Sequence, residues 1–93
     1  MTIEWASSAF KHGLKKEQIL FAVSHPTGSD VVPGFAGDIT RAFVGPTGEF
    51  ADEYIEVLAT LNRRTGRLKF IHAMPVTDIF RYLLGGQNNG QTQ

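Results

Sequence analysis

The sequence contains no cysteine. That excludes disulfide staples, thiolate zinc sites and a cysteine nucleophile. Apolar runs are short, and none approaches the roughly 18–20 residues that a membrane span requires. The opening Met1-Thr2-Ile3-Glu4-Trp5 has neither a basic start nor an apolar stretch. No secretory signal and no membrane partner are therefore expected, and a cytoplasmic location is the simplest expectation. An excess of one charge is missing too, because 9 basic and 9 acidic residues cancel. The resulting pI of 6.8 argues against a domain that coats nucleic acid by bulk electrostatics, whose pI is typically above about 9. There is no Gly-x-Gly-x-x-Gly after a strand, no P-loop, no His-Glu-x-x-His and no Gly-x-Ser-x-Gly. Nucleotide-cofactor enzymes, zincins and serine hydrolases thus lack their signatures. The histidines at 12, 25 and 72 make no metal site by spacing, so neither metal nor cofactor is expected.

What is present predicts one domain over residues 1–84 and a mobile tail over 85–93, which holds no apolar residue. An apolar fraction of 42% is ordinary for a globular chain. Thr2 to Trp5 alternates as a short strand. Ser7 or Ser8 caps a short helix through Lys11-His12 that Gly13 ends, and Leu14 to His25 is a second helix stopped by Pro26. Thr27 to Asp38 reads as a loop with a β-bridge at Val31-Val32 at most. Ile39 to Val44, Tyr54 to Asn62 and Arg67 to Met74 read as strands, the last two joined by the Arg63-Arg64-Thr65-Gly66 turn. On the last strand Leu68, Phe70, His72 and Met74 share one face. Thr77 caps a final helix whose Val76, Ile79, Phe80 and Leu83 recur at helical spacing. The expected fold is therefore α+β: a short N-terminal strand and two helices, an antiparallel sheet of three to four main strands, and a C-terminal helix packed on the sheet.

The residues left to carry chemistry are basic and polar: Lys11, His12, Arg41, Tyr54, Arg63, Arg64, Arg67, Lys69 and His72. Metal-free RNA cleavage needs a base for the ribose 2′-OH, an acid for the leaving oxygen and cations for the phosphorane. Imidazole suits the first two roles because it titrates near neutrality, and guanidinium suits the third because it grips phosphate bidentately. Each residue also has a structural explanation. His12 before Gly13 fits a cation at a helix C-terminus. His72 fits a hydrogen-bonded, half-buried histidine, and Arg63 and Arg64 fit solvated turn residues. Arg41, alternating with Ile39 and Phe43, fits an edge residue with its stem on apolar surface.

The order of these residues resembles the BrnT family of ribonuclease toxins from bacterial toxin–antitoxin pairs. The likeness is carried by Ile3-Glu4-Trp5, Lys11-His12-Gly13, the helix around Lys16 to Val23, the His25-Pro26 break, and Arg41 four residues before Gly45. It extends over residues 3–84. The resemblance implies a RelE-like fold and a metal-independent endoribonuclease held by a protein antitoxin. It implies His12, Lys11 and Arg41 as catalytic residues, with Arg63, Arg64, Arg67 and His72 binding the RNA. The chain departs from the pattern at Met74, where the family carries arginine, and in its apolar Val76 to Leu84 segment. Those departures favour the alternative, a non-catalytic interaction domain with a protein partner or a second copy. Trp5, Phe35, Phe43 and Phe50 would then help form its surface.

Overall fold

A computed structural model describes residues 3–33 and 38–86. Strands β1 (Ile3–Trp5), β2 (Gly28–Val32), β3 (Asp38–Pro46), β4 (Tyr54–Asn62) and β5 (Leu68–Pro75) form one sheet in the order β1-β5-β4-β3-β2. Three neighbouring pairs are antiparallel, whereas β1 runs parallel to β5. Among the described residues the one α-helix, α1 (Lys16–Ser24), lies on one face. Among the described residues no helix is long and apolar enough to cross a membrane.

This architecture corrects the expected one in four places, so the RelE-like arrangement implied by the resemblance is overturned. The first expected helix is only a 3-10 turn, Ser7–Phe10, whose chain exits through Gly13 at φ 81°. Glycine is suited to that conformation because it has no Cβ to clash. The expected Thr27–Asp38 loop contains β2, an edge strand paired with β3 over five positions. The sheet is mixed and five-stranded, because β1 docks on β5 through Ile3, Glu4 and Trp5.

The fourth correction is the C-terminal helix. Thr77 does not cap one, because its backbone N–H and its hydroxyl both donate to Glu56 Oε1, at 2.8 and 2.6 Å. Phe80 then bonds back to Thr77 and Leu83 to Phe80, each three residues apart. The chain makes tight turns ending in a 3-10 segment, Arg81–Gly86, that breaks at Leu84 and Gly85. Asp78, just after Thr77, pairs with exposed Arg81 at 2.6 Å. The expected tail over 87–93 lies outside the described residues.

Two apolar clusters sandwich the sheet. Strand alternation sends Ile55, Val57 and Ala59 of β4 to one face, where they meet Ala9, Leu14, Ile19, Ala22, Phe70 and Ala73. On the other face Ala42, Val44 and Leu58 meet Val76, Phe80 and Leu83 of the C-terminal segment. A bulge between Leu58 and Ala59 changes the expected facing of β5. Phe70 pairs with Ala59 but His72 pairs with Leu58, leaving Ile71 as the extra residue. His72 and Met74 therefore leave the face of Leu68 and Phe70 and join Lys69 on the side opposite the helix, the reorientation a bulge produces.

The C-terminal segment is also tied to the edge strand. Tyr82 donates its phenol proton to Asp30 at 2.6 Å. That bond, followed by partial burial and the charge of Asp30, raises the phenol above its ordinary 10.0. A group held protonated by the fold contributes stability below its unfolded pKa, and the contribution is lost as pH rises through the folded value. Ultraviolet titration should therefore show Tyr82 ionising at higher pH in the wild type than in Asp30→Asn, which lacks the charge and the acceptor beside it. A Tyr82 titration that Asp30→Asn leaves in place would contradict the contact.

Candidate functional site

The 3-10 turn is laid across the stretch of β5 that β1 leaves unpaired. Ala6 N–H donates to the Phe70 carbonyl at 2.9 Å, and the Ser8 hydroxyl donates to the Ile71 carbonyl at 2.5 Å. This anchoring delivers Lys11 and His12, both exposed, to the strand margin. There the His12 ring stands edge-on to the His72 ring, with centroids 6.2 Å apart.

His72 is held from behind. Its Nε2 lies 2.9 Å from Glu56 Oε2, and the His72 side chain is 28% exposed while that of Glu56 is 4% exposed. A buried carboxyl is costly unless its oxygens are hydrogen-bonded. Here Thr77 supplies two donors to Oε1, and His72 faces Oε2. Glu56 therefore links the last turn of the chain to an imidazole at the surface. Donating Nε2–H to Glu56 leaves Nδ1 of His72 as the nitrogen free to exchange a proton. A pair of imidazoles, one exposed and one oriented by a buried carboxyl, can act as acid and base on the same substrate.

The other expected site residues are distributed differently. Arg41 pairs in register with Ala59, on the helix side, and donates to Ser29 Oγ at 3.1 Å. The His12–His72 pair lies across the sheet from it. Arg63 and Arg64 occupy the hairpin turn, five and six residues along the chain from Leu58, the register partner of His72. At about 3.3 Å per residue that puts the turn roughly 15–20 Å from the histidines. Arg67 is engaged with Glu4 at 3.2 Å. The structure thus joins His12 and His72, with Lys11 next to His12 in the chain, and sets the arginines apart from them.

Glu56 and Thr77 are functional candidates that sequence reasoning missed. Glu56 was legible only as a charged residue on the face opposite Val57, and Thr77 only as a helix cap. The one available signal was an acid placed between apolar residues in a strand rich enough in them to be buried. Among the described residues no three His, Asp or Glu side chains converge to hold a metal ion. Of the aromatics expected at a partner surface, Trp5 and Phe43 pack against the helix-side core, Phe50 is exposed, and Phe35 lies outside the described residues. Neither a comparison with protein-family models nor one with curated proteins finds a match to this chain.

Proposed function

We propose that this protein is a metal-independent endoribonuclease, acting as the toxin of a toxin–antitoxin pair and cleaving RNA through the His12–His72 pair. The observation that carries the reading is the edge-on contact of the two rings with Glu56 behind His72. In the reaction one imidazole removes the 2′-OH proton, and the ribose oxygen attacks the adjacent phosphorus. The other imidazole gives a proton to the departing 5′-oxygen. The products are a 2′,3′-cyclic phosphate and a 5′-hydroxyl, and the reaction consumes no water. Lys11, next to His12, supplies positive charge for the phosphorane. Arg63 and Arg64 would contact phosphates farther along the strand, since each such contact adds affinity without reading sequence. The likeness to BrnT-type toxins in Lys11-His12-Gly13 supports the same reading and adds a protein antitoxin as partner.

The test is incubation of the purified protein with free and ribosome-bound RNA in EDTA. Cleavage leaving cyclic phosphate ends is expected, with a bell-shaped pH dependence from the acid and the base. No cleavage of either substrate would remove the enzymatic reading. Glu56→Gln tests the support beneath His72, since it leaves one acceptor oxygen for three donors. Cleavage should fall by about 10- to 100-fold, the scale found when a group orienting a functional side chain is lost. An unchanged rate in a folded variant would reduce Glu56 to a purely structural residue.

A second reading, a non-catalytic interaction domain, is favoured by a different observation. The outer edge of β2 is unpaired among the described residues, and Val31 and Tyr82 beside it are 54% and 56% exposed. An open edge with apolar neighbours can accept a strand from a partner. A stable complex or homodimer together with no RNA cleavage would decide for this reading.

A further inference from the structure

On the face that carries Glu56 and His72, the sheet continues beyond the C-terminal segment into a polar depression of about 240 Å³. Glu4, Asp38, Thr60, Asn62, Thr65, Arg67 and Lys69 line it. Its floor follows from the register. One row runs Thr40, Thr60, Lys69 and Glu4 across four strands, and the next places Asp38 directly opposite Asn62.

Some of the polar groups here are already committed. Glu4 is paired with Arg67. Asn62 Oδ1 accepts the backbone N–H groups of Arg64 and Thr65, at 3.0 and 3.1 Å. That use of the oxygen leaves the two Nδ2 protons of Asn62 as its remaining donors. Asp38, Lys69 and the Thr60 hydroxyl have no hydrogen bond or ion pair among the described residues. In the same row the Thr40 hydroxyl is closed from solvent and has no partner among the described residues, with the residue only 4% exposed. That hydroxyl lies beneath the depression and does not line it, so the capacity open to a ligand is that of Asp38, Thr60, Lys69 and the Asn62 amide.

The uncommitted groups specify a ligand pattern. Asp38 accepts only, and the neighbouring Asn62 amide and Lys69 ammonium donate only. Residues directly opposite in an antiparallel pair have Cβ atoms about 5 Å apart, so Asp38 and Asn62 present acceptor and donor side by side. A complementary planar ligand carries two adjacent N–H donors and, on the next position of its rim, an acceptor. Among the RNA bases guanine has that order, with N1–H and N2–H₂ beside O6 and N7. Cytosine and adenine place one donor beside an acceptor on that edge, and uracil places its one N–H between two acceptors. Either arrangement would leave Asp38 facing an oxygen or a ring nitrogen.

We infer that the depression is a guanine subsite, in which Asp38 accepts from N1–H and N2–H₂, Asn62 donates to O6, and Lys69 meets the phosphate. The subsite gives the proposed ribonuclease its base preference, and to that extent it rests on that reading. Lys69 and His72 lie on the same face of β5 opposite Thr60 and Leu58, two positions apart in β4 and so about 7 Å from each other along the sheet. Asp38, opposite Asn62, lies two strands and four strand positions from His72, roughly 16 Å, so a guanine held there would sit two or three nucleotides from the bond that the histidines cleave.

The experiment is a nuclear magnetic resonance titration of the isotope-labelled full chain with each 5′-ribonucleoside monophosphate and with inorganic phosphate. GMP should perturb the Asp38, Thr60, Asn62 and Lys69 amides and bind at least about tenfold more tightly than AMP, CMP or UMP, as a bidentate base contact provides. Asp38→Asn should remove that preference, bringing GMP to within about twofold of AMP. Equal affinity for the four nucleotides, or phosphate alone producing the GMP pattern, would overturn the guanine assignment. So would GMP shifts confined to other residues. Binding is read without cleavage, so the two proposals fail separately. GMP selectivity in a protein that cuts no RNA would sink only the ribonuclease, and RNA cleavage without GMP selectivity would sink only the subsite.

Discussion

Replacing His12 with alanine is expected to lower RNA cleavage at least ~100-fold, the usual scale for removing an acid–base group. His12 is the cleaner of the two histidines to test because it is exposed, and exposed substitutions usually change stability by no more than about 0.5 kcal/mol. The thermal midpoint of His12→Ala should thus match the wild type while the rate collapses. His72→Ala should lose activity on the same scale, but it leaves Glu56 Oε2 buried without its partner. That carries a stability cost of about 1–3 kcal/mol. The double variant should be scarcely slower than either single one, because groups acting as a unit are not additive. Arg41→Ala, on the opposite face and bonded to Ser29, should cleave at close to the wild-type rate. A folded His12→Ala that cuts RNA as fast as the wild type would take the histidine pair out of the chemistry.

The largest stability effect is expected at Gly45. In β3 it pairs with Ile55, beneath the helix, and a Cβ built there would collide with the Ala22 carbonyl oxygen of α1. That neighbour is backbone in a helix anchored by buried Ile19 and Ala22, so it cannot swing aside as a side-chain end would. Gly45→Val must push the helix off the sheet. Overpacking of this kind costs about 1–3 kcal/mol or more, which at about 4–8 °C per kcal/mol corresponds to a fall of roughly 4–24 °C in the melting temperature of a domain this size. Gly48→Ala is the control, because its Cβ would meet nothing nearer than the Ala51 Cβ at 3.9 Å. That variant should melt with the wild type. If Gly45→Val did so too, the helix could not pack on β3 as described.

Elements that rest on local chemistry were legible in the chain. Tyr54 to Asn62 alternates apolar and polar residues, and β4 spans those residues with Ile55, Val57 and Ala59 inward. Gly66 suits a position of φ 73° in the β4–β5 turn, and Pro26 bounds a helix that ends at Ser24. His12 and Lys11 were legible as exposed cations before a glycine stop. The elements that failed depend on partners distant in sequence. Residues 28–32 hold strong turn formers and form a strand because β3 offers them its backbone. Val76 to Leu84 has helical periodicity, yet Thr77 gives its donors to an acid 21 residues earlier.

The site shows the same division. By itself the sequence determined the residue types, the absence of thiol chemistry and the approximate extent of most strands, because these depend on composition and on periods of a few residues. Tertiary structure decided which of those residues meet. One extra residue in β5 turned His72 away from Phe70 and toward Glu56, and the docking of the 3-10 turn on β5 brought His12 to it. A strand period of two reverses with a single inserted residue, and where that insertion falls is set by the neighbouring strand.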